Sequence, residues 1–223
     1  SFFRPRFDAD AQLPEATSDQ NFVDVVQEEE PQQLVATGID FKVVAGTPFV
    51  VDGFKLKDAD LPKGCVFFLT HFHSDHYGGL SATFKHPIFC SAVTGALVVE
   101  QLGVKRELIR ILPLEKTVMI DGVEVTAFDA NHCPGAILLL FSSKSSRVLH
   151  CGDFRWNRER MLSSSLGQIR PRDLSHLYLD TTFNDKKFDF PSQEEVISKG
   201  VKLALEFLAS SKTCLLLFGS YSI

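Results

Sequence analysis

From residue 41 onward, hydrophobic residues fall in short β-rich runs separated by turn formers. The runs predict strands at Phe41–Val44, Phe49–Val51, Cys65–Thr70, Ile88–Cys90, Thr117–Ile120, Val123–Phe128, Ala136–Phe141, Arg147–Cys151, Leu177–Leu179 and Cys214–Phe218. Asp121-Gly122 joins two of them, and this dipeptide favours the positive φ angles of a two-residue type I′ hairpin. Helical spacing is rarer and predicts helices over Gly78–Phe84, Ala92–Leu102 and Ser192–Leu208. The last is the best marked: Ser192 is an N-cap, Glu195 completes a capping box, and Val196, Ile197, Val201, Leu203, Leu205 and Leu208 follow. Many short strands with helices interspersed predict sheets layered with helices, an α+β or α/β sandwich. Residues 1–37 lack the pattern apart from Phe22–Val26 and read as an acidic, disordered leader. Phe2, Phe3 and Phe7 beside Arg4 and Arg6 read as a frayed or partly packed terminus, with a peptide docking motif as the alternative.

Composition narrows this picture. Hydrophobic residues make up 44% of 223, enough for a buried core. The longest purely apolar stretches, Ala136–Phe141 and Cys214–Phe218, fall far short of the ~18 residues that cross a bilayer. Ser1–Phe7 holds Arg4, Pro5 and Arg6, so it does not read as a signal peptide, and the numbering is expected to start inside a longer protein. The net charge of −5 weighs against a polyanionic partner only until it is mapped. Residues 1–40 carry two bases against nine acids, whereas 41–223 carry 21 bases against 19 acids. Five cysteines without a C-x-x-C pair fit a reducing compartment, nuclear or cytosolic, better than a disulfide framework.

The chemistry concentrates at His71-Phe72-His73-Ser74-Asp75-His76, directly after an apolar run. Seven histidines in 223 residues predict only about 0.2 in any six-residue window, and this window holds three plus a carboxylate. A buried strand that ends there delivers His71 and His73 to one side, because residues i and i+2 of an extended chain share a face. Imidazole and carboxylate together suit Zn²⁺ or a similar divalent ion. His132, in the turn Asp129–Gly135, and Asp153, just past the run Arg147–Cys151, are the remaining candidates. Either alone reads as an ordinary turn residue. Together with the first cluster they suggest His71, His73, His132 and Asp153 as one ligand set, and Asp75, His76 and a bridging Asp153 as the start of a second. Two ions ~3.5–4 Å apart are a common device for hydrolysing phosphoryl or acyl centres.

The H-x-H-x-D-H string at 71–76, followed by His132 and Asp153, resembles the successive metal motifs of the metallo-β-lactamase fold. More narrowly, LTHFHSDHYGGL (69–80), DANHCPGA (129–136), HCGDFR (150–155), YLDTTF (178–183), FPSQEEV (190–196) and GSYSI (219–223) resemble the DNA cross-link repair nucleases of the metallo-β-lactamase/β-CASP group, which includes Artemis. The likeness covers about residues 39–223. It implies an αββα-type sandwich of two β-sheets flanked by helices, with the site at one edge between the sheets. It also implies nuclear, metal-dependent hydrolysis of DNA phosphodiesters, as a 5′-to-3′ exonuclease in interstrand cross-link repair. By the same match Asp52 orients the ligating histidines, Asp75 and Asp180 are catalytic carboxylates, and Asp180 supports the site or handles protons. Without the match, Asp180 reads as a turn or cap residue. Arg155 faces substrate phosphate or a salt bridge, and Tyr77 packs under the metal loop rather than contacting a base.

Members of this group continue past Gly-Ser-Tyr-Ser into the β-CASP insert and supply a further histidine to the second ion. Residues 38–223 are therefore expected to be the N-terminal portion of a catalytic domain, binding one ion better than two and having little nuclease activity alone. RNA-processing and thioester-hydrolysing relatives share the His/Asp motifs and form the alternative enzyme reading. A catalytically inactive scaffold is the alternative outside enzymology.

Overall fold

The computed structural model describes residues 41–210 and 213–219; the expected leader, with Phe2, Phe3 and Phe7, lies outside the described residues. The short apolar runs pair into two sheets. The first is parallel throughout: β1 (Phe49–Val51), β2 (Val66–Phe68), β3 (Ile88–Cys90) and β4 (Ile109–Ile111) lie side by side in that order. Parallel neighbours need crossovers rather than tight turns. One of these carries α1 (Ser74–Tyr77) and another α2 (Ala92–Leu102). In the second sheet β5 (Thr117–Ile120), β6 (Val123–Asp129), β7 (Ile137–Ser142) and β8 (Arg147–His150) are antiparallel neighbours, and β9 (His176–Tyr178) pairs parallel to β8. Asp121 and Gly122 take φ of 46° and 79°, the two positive angles of the expected hairpin, and Gly122 adopts its angle without a Cβ penalty.

The period-2 alternation of the strands sorts their side chains between two layers. Phe49, Val51, Phe68, Val125, Ile137, Leu139, Phe141 and Val148 meet between the sheets. Their alternates on the first sheet, Val50, Phe67, Ile88 and Cys90, pack outward against α2, while Leu138 and Leu140 of the second sheet pack on its far side with Leu166, Ile169 and Leu174. Phe68 centres the inner layer, with ring centroids 5.1 Å from both Phe49 and Phe141. Each such side chain contributes about 1.5–3 kcal/mol by leaving water. The architecture is the two-sheet sandwich with flanking helices that the sequence predicts.

Several elements depart from expectation. Gly78–Phe84 is not helical: Gly79 sits at φ 106° with its Cα packed on the Phe54 carbonyl, and two tight turns replace the helix. The helical turn occurs earlier, at Ser74–Tyr77. Phe41–Val44 forms a single bridge between Val43 and Val50, because the chain turns back at Ala45–Thr47. Cys214–Phe218, apolar throughout, makes no strand; no strand among the described residues pairs with it, and Leu215, Leu217 and Phe218 are exposed. The edge strand β4 and the helix α3 (Arg158–Ser163) appear where the pattern predicts neither. Helix α4 (Gln193–Ser210) forms with the expected capping box, the Ser192 N–H donating to Glu195 Oε2 and the Glu195 N–H to Ser192 Oγ. None of its residues is buried, and Val196, Ile197, Val201 and Leu205 are all exposed.

Candidate metal centre

β2 ends at Phe68, and the next residues run along the seam where the sheets meet. The Leu69 N–H bonds to Phe89 in the first sheet, and the Thr70 carbonyl accepts from the Ile137 N–H in the second. His71 follows, fully buried. His73 caps α1 with its carbonyl, which accepts from the His76 and Tyr77 N–H groups, and this turn brings Asp75 and His76 back to the seam. Tyr77 stacks on Phe72 beneath the loop, as expected. His132 lies on the β6–β7 loop. The loop is anchored at Gly135, whose carbonyl accepts from Ser91 Oγ at 2.6 Å and Thr94 Oγ1 at 3.1 Å at the start of α2. Asp153 follows β8 across Gly152, which takes φ 53° with its Cα against Thr70; a Cβ there would lie 3.0 Å from that side chain.

These loops bring four candidate donors together. His71, His73, His132 and Asp153 each offer one atom, all within 4.8 Å of one another. His71 Nε2 is 2.9 Å from His73 Nδ1, and His132 Nε2 is 3.2 Å from it. Asp153 Oδ2 is 3.8 Å from His71 Nε2 and 3.6 Å from His132 Nε2. Donors ~2.0–2.1 Å from a tetrahedral ion stand ~3.4 Å apart. The observed separations bracket that edge, so three imidazoles and a carboxylate fit a divalent ion of the zinc type. The other oxygen of Asp153 faces elsewhere: Oδ1 is 3.2 Å from His76 Nε2, which is 3.6 Å from Asp75 Oδ2. Asp153 thus stands between two donor sets, the second of which is the more exposed.

A buried hydrogen-bond chain orients the imidazoles. Asp52 sits at φ 51°, a conformation that costs a non-glycine residue free energy and tends to persist at functional sites. Its Oδ1 accepts from the Thr70 N–H at 2.8 Å, and its Oδ2 accepts from Thr70 Oγ1 at 2.7 Å and from His76 Nδ1 at 2.7 Å. The Thr70 hydroxyl has one hydrogen and gives it to Asp52, so toward His71 Nδ1, 3.0 Å away, it can only accept. That assigns the proton of His71 to Nδ1 and leaves the Nε2 lone pair facing the other donors.

Electrostatics follow from this geometry. Burial, with a protonated His76 nearby, pushes His71 down to about 4, so it is neutral and its lone pair is free. Burial likewise lowers His132. Burial also opposes charge on His76, but hydrogen bonds to Asp153 and Asp52 outweigh it and raise His76 to about 10. Its hydrogen bond to His76 holds Asp153 at about 2. Burial works to raise Asp52, and the bonds from His76 and Thr70 bring it below the usual carboxylate range. The nearby thiols stay protonated: burial raises Cys133, and takes Cys151 to about 12.

Asp180 lines a cavity of about 280 Å³ with Asp52, His76 and Asp153. Its Oδ1 also accepts from the Thr182 N–H and hydroxyl, so the turn reading holds at the same time. Sequence reasoning missed Thr70 and His150. His150 lines the same cavity, stacks on Tyr178 with centroids 5.2 Å apart, and accepts from the Gly152 N–H at 3.2 Å. Loss of water around it lowers its pKa to about 4. Adjacency to His71 and to Cys151-Gly152-Asp153 was the available signal for each.

Residues 54–204 match the metallo-beta-lactamase superfamily. The chain belongs to that superfamily. It is 41% identical over 185 residues to the DNA cross-link repair 1A protein of Mus musculus, covering 82% of this chain and 17% of that protein. It is 40% identical over 186 residues to the DNA cross-link repair protein SNM1 of Arabidopsis thaliana, covering 82% and 37%. It is 35% identical over 173 residues to the 5′ exonuclease Apollo of Mus musculus, covering 74% and 31%. The chain therefore spans between about a sixth and somewhat over a third of the length of these relatives. The described metallo-β-lactamase sandwich holds all the candidate donors expected from 71–76, His132 and Asp153, and no helix of it is long and apolar enough to cross a membrane.

Proposed function

We propose that this chain carries the ion-binding part of a metal-dependent DNA nuclease that hydrolyses phosphodiesters in interstrand cross-link repair in the nucleus, acting from 5′ ends. The observation that carries the reading is Asp153, whose two oxygens face two separate sets of donors. Identity of about 40% to proteins named for DNA cross-link repair, and 35% to a named 5′ exonuclease, supports DNA as the substrate. His71, His73, His132 and Asp153 would hold the first ion, and Asp75, His76 and Asp153 the second, with Zn²⁺ suited to the nitrogen-rich first set. Divalent ions held there supply Lewis acidity and an acidified water as nucleophile.

The chain's own residues do the rest. Thr70 and Asp52 fix the ring orientations of His71 and His76, so that the donor atoms need no rearrangement when charge develops on phosphate oxygens. Asp180, which lines the same cavity, supports the site or handles protons. Residues 38–223 would be the N-terminal portion of the metallo-β-lactamase domain that carries this site.

The test is zinc-dependent release of nucleotides from a 5′-phosphorylated single-stranded oligonucleotide by the purified chain, with Asp153→Asn as control. RNA and a thioester are run at equal concentration. The expected result is slow DNA hydrolysis, in keeping with the little activity expected of this portion alone, that Asp153→Asn abolishes. Turnover of RNA or thioester but not DNA, or DNA hydrolysis indifferent to Asp153→Asn, overturns the reading.

A further inference from the structure

The wall of the centre formed by His132 is shared with a second, larger cleft of about 940 Å³. This cleft lies between the start of α3 and the approach to α4, and Arg155, Trp156, Arg158, Phe183 and Phe190 line it. Its size is at the upper end of the ~300–1,000 Å³ in which proteins hold small ligands, large enough for unpaired nucleotides. Trp156 is the sole tryptophan of the chain and is 65% exposed. An indole left in water gains most from a flat partner, and nucleobases supply one. Arg155 is fixed from both sides of its backbone, its N–H donating to Ala130 and its carbonyl accepting from Asn131 Nδ2. Its guanidinium lies 6.0 Å over the Phe183 ring. Among the described residues neither Arg155 nor Arg158 forms an ion pair with a carboxylate. Glu159 and Glu194 also line the cleft, and Glu194 accepts from Asn157 Nδ2 at 2.8 Å. Two arginines against two glutamates leave the cleft near neutral, so stacking rather than bulk charge must dominate what binds.

We infer that this cleft seats unpaired nucleotides of the DNA strand beside the scissile phosphate, with a base stacked on Trp156 and the flanking phosphates met by Arg155 and Arg158. The inference rests on the nuclease reading for its ligand, and is measured without catalysis. Because Trp156 is the only tryptophan, its fluorescence reports on this cleft alone. The metal-free chain, held in chelator, is titrated with 5′-phosphorylated oligothymidylate of eight nucleotides, with an abasic strand of equal length, and with a blunt duplex. Oligothymidylate is expected to quench the emission saturably, and the abasic strand and duplex to do so at least tenfold more weakly. Anisotropy of a labelled oligonucleotide should give a Kd raised about 5- to 150-fold in Trp156→Ala, matching the usual worth of one base stack, and largely restored in Trp156→Phe. Arg155→Ala and Arg158→Ala should each flatten the dependence of Kd on salt. Binding by anisotropy with unchanged Trp156 emission, equal affinity for the abasic strand, or no binding at all overturns the inference. DNA cleavage with KM unmoved in Trp156→Ala would sink it while sparing the nuclease reading. Quenching by oligothymidylate in a chain that cleaves no DNA would do the reverse.

Discussion

One hydroxyl hydrogen at Thr70 gives direction to the chain Asp52–Thr70–His71. Thr70→Val keeps the side-chain shape and removes that hydroxyl, leaving the His71 Nδ1–H buried without an acceptor. Urea denaturation should read a loss of about 1–3 kcal/mol, and competition with a chelator a zinc affinity lower by ~10–100-fold; Thr70→Ser should restore both. His76 sets the response to pH. In the ion-free chain its pKa stands raised to about 10, so the stabilisation it draws from Asp52 and Asp153 is complete below about 6.5 and is lost as pH rises through 10. To act as a donor through Nε2 it must give up that proton. Zinc saturation at pH 8 should therefore release about one proton more from the wild-type chain than from His76→Asn, as read by calorimetry in buffers of differing ionisation enthalpy. The donors were legible because histidine is scarce and three within six residues seldom coincide. Thr70 was not, because a threonine next to a candidate ligand becomes an orienter only when the fold brings Asp52, 18 positions earlier, beneath it.

Elements with complete local signals were read to the residue. Helix α2 begins after Ser91, whose Oγ accepts from the Thr94 N–H, and stops at Gly103 in the left-handed region, so Ala92–Leu102 is found as expected. Elements that depend on a partner were not: β4 is three residues of sheet edge defined by pairing with β3, and Cys214–Phe218 has strand composition without a pairing strand among the described residues. Helix α4 lies between these cases, since its cap was legible and its exposed apolar positions were not. Because no α4 residue is buried, Ser192→Ala should fray its first turn by about 1 kcal/mol and leave the main unfolding transition in place. Hydrogen exchange of the Gln193–Ile197 amides beside a calorimetric scan checks both halves of that expectation.

Across the whole molecule, the acidity that weighed against DNA belongs to residues 1–40, while residues 41–223, which carry the site, are near neutral. Its donors come from both sheets: His71 and His73 follow β2, His132 follows β6 and Asp153 follows β8. An ion held between them ties one sheet to the other. Zinc at 100 times its Kd should therefore raise the stability of the sandwich by about 2.7 kcal/mol, seen as a higher melting temperature that Asp153→Asn abolishes. The junction at Thr70, whose carbonyl accepts from Ile137 across the seam, also has a kinetic side. Strands β5 to β8 are sequential antiparallel neighbours and close cheaply, whereas β1 to β4 must wait for long crossovers. Pulse-labelled refolding should protect the amides of β6 and β7 before those of β2, which makes the donor cluster a late product of folding, assembled only when the slow sheet docks onto the fast one.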